Sequence, residues 1–415
     1  MPVAKTFGNL LNEYLPEKLL KTELLKRDWL LNNVDKDPNW RGGSAIVPVR
    51  SQRASSVEFG SLAGAADISQ AAYGRGEMDP VEVYGSLIFN EGDLKDHEGK
   101  ITENTFLKIL PDTVDDFISY MKDVTSISLA DGCVATLTAD GDTGGTGFAT
   151  VDFIDRFEVD QKVTLDDGNS SAADFYVISV DVNTKIIVLS ATRGGSAASI
   201  SAYTSAQAAK IYHPGQDTLS FNSLRGMLLS AANGGDAAIH GLTKTASPHY
   251  AATQVSGSAA TASSLLDDIF DAYSEIQQKA RGGRCSTVLM SYANLGVILK
   301  LIEVQKGGFN VAPGKTNVSE YGWTEIMLGS PAGMYLKLVG IQELANDVIY
   351  FLDMKSLKFR SKQMFKRITS PSGDDYHVIR NTTGYQYIVD HSIWANMQCG
   401  RPAHNGVLHS LAITY

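Results

Sequence analysis

The residues best placed to do chemistry each lack a part that their chemistry needs. Gly308 to Thr316 ends in Gly314, Lys315 and Thr316, as a phosphate loop does when backbone amides cradle a phosphate and a lysine neutralises it. The first glycine should stand five residues before the second, but Phe309 is there, and Pro313 removes a donor from the cradle. His240 with His249, and His404 with His409, are candidate metal ligands, yet neither pair has the i, i+4 spacing of a helical zinc motif. They read as solvated or capping histidines. Asp267, Asp268 and Asp271 fall in the first turns of an expected helix, where carboxylates favour the positive dipole end, so a structural role accounts for them. There is no Gly-x-Ser-x-Gly elbow for a hydrolase. The Gly- and Asp-rich run Asp140 to Gly147 is not followed by the helix that a dinucleotide motif requires, and reads as a hinge. The expectation is a chain that is not an enzyme and binds no cofactor or metal.

Composition points the same way. A chain of 415 residues with 43% hydrophobic content can bury a substantial core and has room for two or three domains. Its 36 Lys plus Arg against 46 Asp plus Glu give a net charge of −10, with no basic excess to grip phosphates. Cys133, Cys285 and Cys399 are odd in number and far apart, so they read as buried thiols in a reducing compartment. No apolar run reaches the ~20 residues of a membrane helix, and the first residues lack the order of a signal peptide, so manufacture in a cytoplasm is expected.

The elements are organised around one helix. From Asn104 to Ile127, the residues Phe106, Leu110, Val114, Phe117, Met121 and Val124 recur at steps of four and three, which places them on one side of a helix. Pro111 predicts a kink or a fresh start within it. Before it lie an arm, residues 1–43, with a short helix from near Pro16 to Asn32, and a hairpin, 44–92, with strands Ala45 to Phe59 and Val81 to Phe89. An isolated hairpin is marginal in water, so this one needs something to pack on, and another copy of the chain would serve. After the helix, 146–204 reads as a small all-β insertion between Gly- and Ser-rich linkers. Strand Ala208 to Tyr212 resumes the main chain. A capped helix from Ser264 to Gly282, strand Cys285 to Met290 and a helix near Asn294 to Glu303 follow. Gly307 to Gly333 reads as loop or short hairpin. Strands Tyr335 to Ile341, Val348 to Leu352, Tyr376 to Arg380, Tyr385 to Val389 and Val407 to Ile413 finish an α+β chain.

This order of parts resembles the major capsid proteins of tailed bacteriophages, of the Hong Kong 97-type fold. The tail carries the likeness furthest, in Asp347 to Leu352 with Lys355, in Thr383, Gly384 and Tyr385, and in Ala395 to Pro402 (ANMQCGRP). The resemblance implies an N-terminal arm (1–43), an extended loop (44–92), a peripheral domain with its spine helix (93–145), the insertion (146–204), a mainly axial segment (205–345) and returning strands (346–415). It implies a virion shell protein: a homo-oligomer of pentamers and hexamers, enclosing double-stranded DNA without reading its sequence. Portal, scaffold or decoration proteins are possible partners, and no membrane is involved. An encapsulin-like compartment is the alternative, and cargo enzyme rather than DNA inside would identify it. Expected inter-subunit contacts are Val47, Arg50, Arg53, Phe59, Val83, Tyr84, Lys358, Arg360 and Lys362. The last three belong to a basic run with Lys355, Lys366 and Arg367 that would either pair with acids of adjacent subunits or face packaged DNA. Some members of the family crosslink a loop lysine to a neighbour's asparagine; Ser51 to Met78 holds no lysine, so that chemistry is not expected.

Overall fold

The computed structural model describes residues 29–40, 42–52, 71–90, 106–139, 146–168, 172–203, 209–258, 260–279, 285–306, 325–329, 335–367, 377–381 and 384–413. Residues 16–28 of the expected first helix, the phosphate-loop-like run at 308–316 and most of the 140–147 hinge lie outside them. The chain forms two compact units, one of 1–126 with 224–415 and one of 127–223.

The first unit begins with helix α1 (Trp29–Asn33), whose Leu30 and Leu31 are buried, and strand β1 (Asp35–Asp37). Strands β2 (Ala45–Gln52) and β3 (Ala72–Met78) pair antiparallel from Ala45↔Met78 to Gln52↔Ala72. β4 (Val81–Asn90) does not return along β2, contrary to the sequence expectation; it pairs with a strand near the C-terminus. The misreading has a physical source. The true return arm, Ala-Tyr-Gly-Arg-Gly-Glu-Met, carries two glycines and no β-branched residue, whereas 81–90 is strongly β-favouring.

Helix α2 (Phe106–Ala130) is one element running through Pro111, with no fresh start there. Proline in the second turn removes one hydrogen bond, to the carbonyl four residues back, close to a helix start whose first four amides have no intrahelical partner anyway. Burial of Phe117 and Met121 further along helps to hold the helix.

The second unit is a β-barrel. Strands β5 (Ala135–Thr136), β6 (Phe148–Thr150), β7 (Lys162–Asp166), β8 (Ala173–Asp181), β9 (Ile186–Ser190) and β10 (Lys210–Tyr212) form a sheet in the order β5-β10-β7-β8-β9-β6. Its two ends meet: Leu137 bridges Val151, the Thr138 amide donates to Thr150 O at 2.9 Å, and the Asp152 amide donates to Thr136 O at 3.2 Å. Closure removes free edges. Val134, Leu137, Val151, Val163, Leu165, Phe175, Ile187, Leu189 and Ile211 fill the interior. The barrel is thus wider in sequence than 146–204, because β5 and β10 are needed to close it. Ala208 to Tyr212 was expected as a strand of the main chain; its antiparallel pairing with β5 and β7, which sequence does not disclose, brings it into the barrel.

The first unit resumes with α3 (Leu224–Leu228), a tight hairpin of β11 (Ala238–Ile239) and β12 (Leu242–Thr243), and β13 (Thr253–Ser256). Helix α4 (Leu265–Lys279), β14 (Thr287–Ser291), helix α5 (Tyr292–Lys306), β15 (Glu325–Gly329), β16 (Tyr335–Ile341) and β17 (Ile349–Leu352) follow. β18 (Leu357–Arg367), β19 (His377–Asn381), β20 (Gly384–Cys399) and β21 (Gly406–His409) complete it. A mixed six-stranded sheet, β13-β21-β17-β14-β16-β15, buries Val288, Leu338, Phe351 and Leu408 against Leu265, Ile269, Tyr273 and Ile276 of α4. A five-stranded sheet, β1-β18-β20-β19, has β4 on the other side of β20. The architecture is α+β, with β18 and β20 returning from the six-stranded sheet to build the five-stranded one.

Candidate functional site

Three features of the first unit bear the residues singled out by sequence. The first is the β2–β3 ribbon. Ala45, Val47, Val49, Gly76 and Met78 point to one buried side, while Ile46, Arg50, Tyr73, Arg75 and Glu77 are exposed. Val47, an expected inter-subunit contact, is therefore buried within its own chain, and Arg50 lies on the outer face. The ribbon packs on 238–250: a Cβ at Gly76 would lie 3.0 Å from both His240 Cβ and Val47 O, and one at Gly74 would lie 2.2 Å from the Tyr250 hydroxyl. The Glu77 amide donates to His240 O at 2.9 Å and the Ser247 hydroxyl to Ser51 O at 2.7 Å. The support that a lone hairpin needs is supplied here by the same chain. Arg53 and Phe59 lie outside the described residues.

The second feature is the sheet over α2. Gly85 of β4 sits where a Cβ would meet Met121 Sδ at 2.7 Å and Phe117 Cε2 at 2.8 Å, so the helix touches the strand backbone. Glu82, Tyr84, Ser86 and Ile88 face away from it. Tyr84 is 71% exposed and Ile88 55%, while Val83 is half-buried. His391, opposite Gly85, is fully buried with its ring 5.5 Å from that of Phe117.

The third is the basic run. Leu357, Phe359 and Ser361 are buried, Lys358 and Arg360 are half-buried between them and Lys362 is exposed, a strand alternation. β1 lies parallel along β18 with Asp35 opposite Lys358 and Asp37 opposite Arg360. Lys358 Nζ is 3.4 Å from Asp35 Oδ2, and Arg360 Nε is 3.2 Å from Asp37 Oδ2. Lys358 and Arg360, expected to pair with acids of adjacent subunits or to face DNA, are thus paired with acids of their own chain. The Asp37 carboxyl is held below its ordinary range, first by the Asn39 backbone amide and then, against some desolvation, by Arg360. Lys362 reaches over the Trp394 ring, 4.9 Å from its centroid. The side chains of Lys366 and Arg367 lie outside the described residues.

Where the chain crosses between the two sheets of this unit, at 353–356 and 400–405, a buried polar knot ties the crossovers together. Asn405 Oδ1 accepts from the Asp353 amide at 2.8 Å, and its Nδ2 donates to Ser356 Oγ at 2.9 Å and Arg401 O at 3.2 Å. His404 Nδ1 lies 3.1 Å from Asp353 Oδ2. Cys285 and Cys399 sit beside this knot, and burial pushes both thiols up to about 12. A thiol kept neutral is a poor nucleophile and a poor metal ligand, and Cys285 Sγ donates to His404 O at 2.9 Å. All three cysteines are buried thiols, none in a disulfide. Among the described residues no group of three His, Cys, Asp or Glu side chains could hold a metal ion, and no helix is long and apolar enough to cross a membrane.

Sequence reasoning missed Gly74, Gly76, His240 and Tyr250 as the ribbon's seat, and Asp35 and Asp37 as the partners of the basic run. The alternation of acids in Asp35-Lys36-Asp37 against Lys358-Phe359-Arg360 was the one available signal.

No protein-family model and no curated protein matches the sequence. Among solved structures, the chain is similar to a cyanophage A-1(L) capsid asymmetric unit, at 12% identity and TM-score 0.46, with 92% of this chain and 90% of that chain covered. It is also similar to the capsid of a native GTA particle, at 8% identity and TM-score 0.45, covering 92% and 90%. A virus-like particle from Pyrococcus furiosus aligns at 9% identity and TM-score 0.39, covering 96% and 100%.

Proposed function

We propose that this chain is the subunit of a closed icosahedral shell, the major capsid protein of a tailed-bacteriophage head that encloses double-stranded DNA. The observation that carries the reading is where exposed apolar surface sits. Of the ten large apolar side chains exposed among the described residues, five, namely Ile46, Tyr73, Tyr84, Ile88 and Tyr120, lie on the ribbon, on β4 and on α2. Ile46 and Tyr73 share the outer face of the ribbon, and Tyr84 and Ile88 share the face of β4 turned away from α2, so each face offers apolar side chains that a second copy could cover. The order of parts supports the same reading, and so does the balance of charge: a wall that neutralised many phosphates would hold DNA and hinder filling. Pentamers and hexamers of the subunit would form the shell, with obligate interfaces that bury upwards of about 2,000 Å².

Negative-stain microscopy of the purified chain tests this, with closed shells expected. The paired change Ile46→Glu and Tyr73→Glu should leave the circular dichroism and unfolding midpoint of the subunit unchanged while abolishing particles. A chain that stays monomeric across protein concentration and salt, or normal shells from the double variant, would overturn the reading.

A further inference from the structure

The seat of the ribbon converges on one side chain. His240 and Gly241 form the two-residue turn between β11 and β12, with φ of 50° and 77°. Both central residues of such a turn need positive φ, and a histidine held there is unusual enough to ask what holds it. Two strands from distant parts of the chain do. On the backbone side, His240 O takes the Glu77 amide of β3, and Gly76 lies against its Cβ. On the ring side, Nε2 accepts the Cys399 amide at 3.0 Å. The amide belongs to the end of β20, beyond the Ala395↔Val81 pair at which β4 begins. One residue thus joins the root of the ribbon to the end of the longest strand, next to the knot around Asn405.

We propose that the His240 corner is an acid-sensitive latch: its neutral ring fixes the root of the β2–β3 ribbon to the end of β20, and protonation of that ring releases the ribbon. The reason is the direction of one hydrogen bond. A neutral imidazole that accepts at Nε2 carries its proton on Nδ1; adding a second proton turns Nε2 into a donor facing the Cys399 N–H. The titratable and charged groups around the ring are few. β3 brings Arg75 and Glu77, ion-paired to each other at 3.3 Å on the exposed face. β20 brings the Cys399 thiol, which burial keeps neutral. The segment of His240 itself brings Asp236 and Lys244, and the Lys244 ammonium is bound by the carbonyls of Gly226 and Leu229. Burial is the main influence on the ring and holds it down to about 4. With a folded value below the unfolded 6.5, the latched form is fully favoured above pH 6.5 and weakens as pH falls toward 4. The inference concerns the subunit and stands whether or not shells form.

Hydrogen exchange of the full-length chain, corrected for intrinsic rates, tests it. Protection over 72–79 should fall by about a hundredfold from pH 7 to pH 4, the ratio set by the two proton affinities, while the core strand 287–291 changes far less. His240→Gln, which keeps an acceptor but cannot titrate, should hold its protection at pH 4. Gly76→Ala, which crowds His240 Cβ, should open the same segment at pH 7 without a protonation step. Wild-type protection that is flat across this range would overturn the latch. So would a fall in the Gln variant parallel to wild type, or a Gly76→Ala protein whose 72–79 segment stays closed at pH 7.

Discussion

At the scale of single residues, this protein depends on places where one backbone lies directly against a neighbouring element. Gly406 of β21 is such a place: a Cβ there would meet Ile276 Cδ1 and Cγ1 at 2.4 Å, and Ile276 is itself fully buried in the core of the six-stranded sheet. There is no room for either side to give, since interiors are packed like crystals. Gly406→Val should therefore cost about 1–3 kcal/mol through overpacking, seen as a lower denaturant midpoint with an unchanged slope. A midpoint equal to wild type would show that α4 can ride outward at no cost. Gly168 provides the contrast, because nothing lies within 4 Å of its added Cβ and only its φ of 74° resists substitution. The sequence contains 38 glycines, and nothing in it separates close contacts such as Gly406 from open turns such as Gly168.

Elements show the same division between what one sequence can disclose and what only tertiary pairing decides. The amphipathic stripe of α2, the apolar face of α4 and the strand Tyr335–Ile341 were legible because each carries its pattern through several successive residues. β1 and β3 were not, since they are three and seven residues long, charged or glycine-bearing, and exist because a neighbouring strand offers them an edge. β10 was legible as a strand, but its place in the barrel between β5 and β7 was not. That view of β1 has a consequence for the basic run. If Asp35 and Asp37 hold the arm to β18, then Asp35→Lys with Asp37→Lys should free residues 29–40 to a protease, and adding Lys358→Asp with Arg360→Asp should restore protection. Each pair is partly exposed and worth about 1 kcal/mol or less, so the readout is local opening, with the global midpoint little moved. Because the Asp37 carboxyl is held below its ordinary value, its share of the docking is present above pH 4 and declines as pH falls through the lowered value. Failure of the swapped quadruple variant to restore protection would send the search for partners back to neighbouring subunits. The barrel argues likewise. Excising 146–204 alone would leave Val134, Leu137 and Ile211 uncovered and should give insoluble chain. The Val134 amide donates to Ile211 O at 2.8 Å, so the barrel's entry and exit are adjacent, and a short Gly-Ser link from Cys133 to His213 should leave the rest soluble and folded. Equal solubility of the two deletions would mean that β5 and β10 are not part of the barrel's cohesion.

For the whole molecule, charge is distributed unevenly between the two units. Residues 127–223 contain 11 Asp and one Glu against three Lys and two Arg, a balance of 5 − 12 = −7 within a total of −10, which leaves −3 for the other unit. The basic residues of this unit are largely committed already: Lys162 to Asp174 at 2.6 Å and Arg193 to Asp160 at 3.6 Å on the surface, and Arg156 to Asp131 at 3.9 Å in a buried pair. Asp155, Glu158 and Asp181 are exposed and take no part in these pairs. In a shell filled with DNA, a unit of this charge on the inner wall would face a dense layer of phosphates, and repulsion between like charges separated by less than the ~8 Å Debye length of physiological salt is little screened. On the outer wall the same charge favours solubility and keeps finished particles apart. The barrel is accordingly expected on the outside of the shell, as a closed domain held by one entry and exit. A short epitope inserted in the β8–β9 turn, at Asn183, should be bound by antibody on intact particles, because that turn lies at a strand end with Asp181, Val182, Asn183 and Thr184 all exposed. Binding that appears only after particles are opened would place the barrel inside and remove the electrostatic argument for its charge.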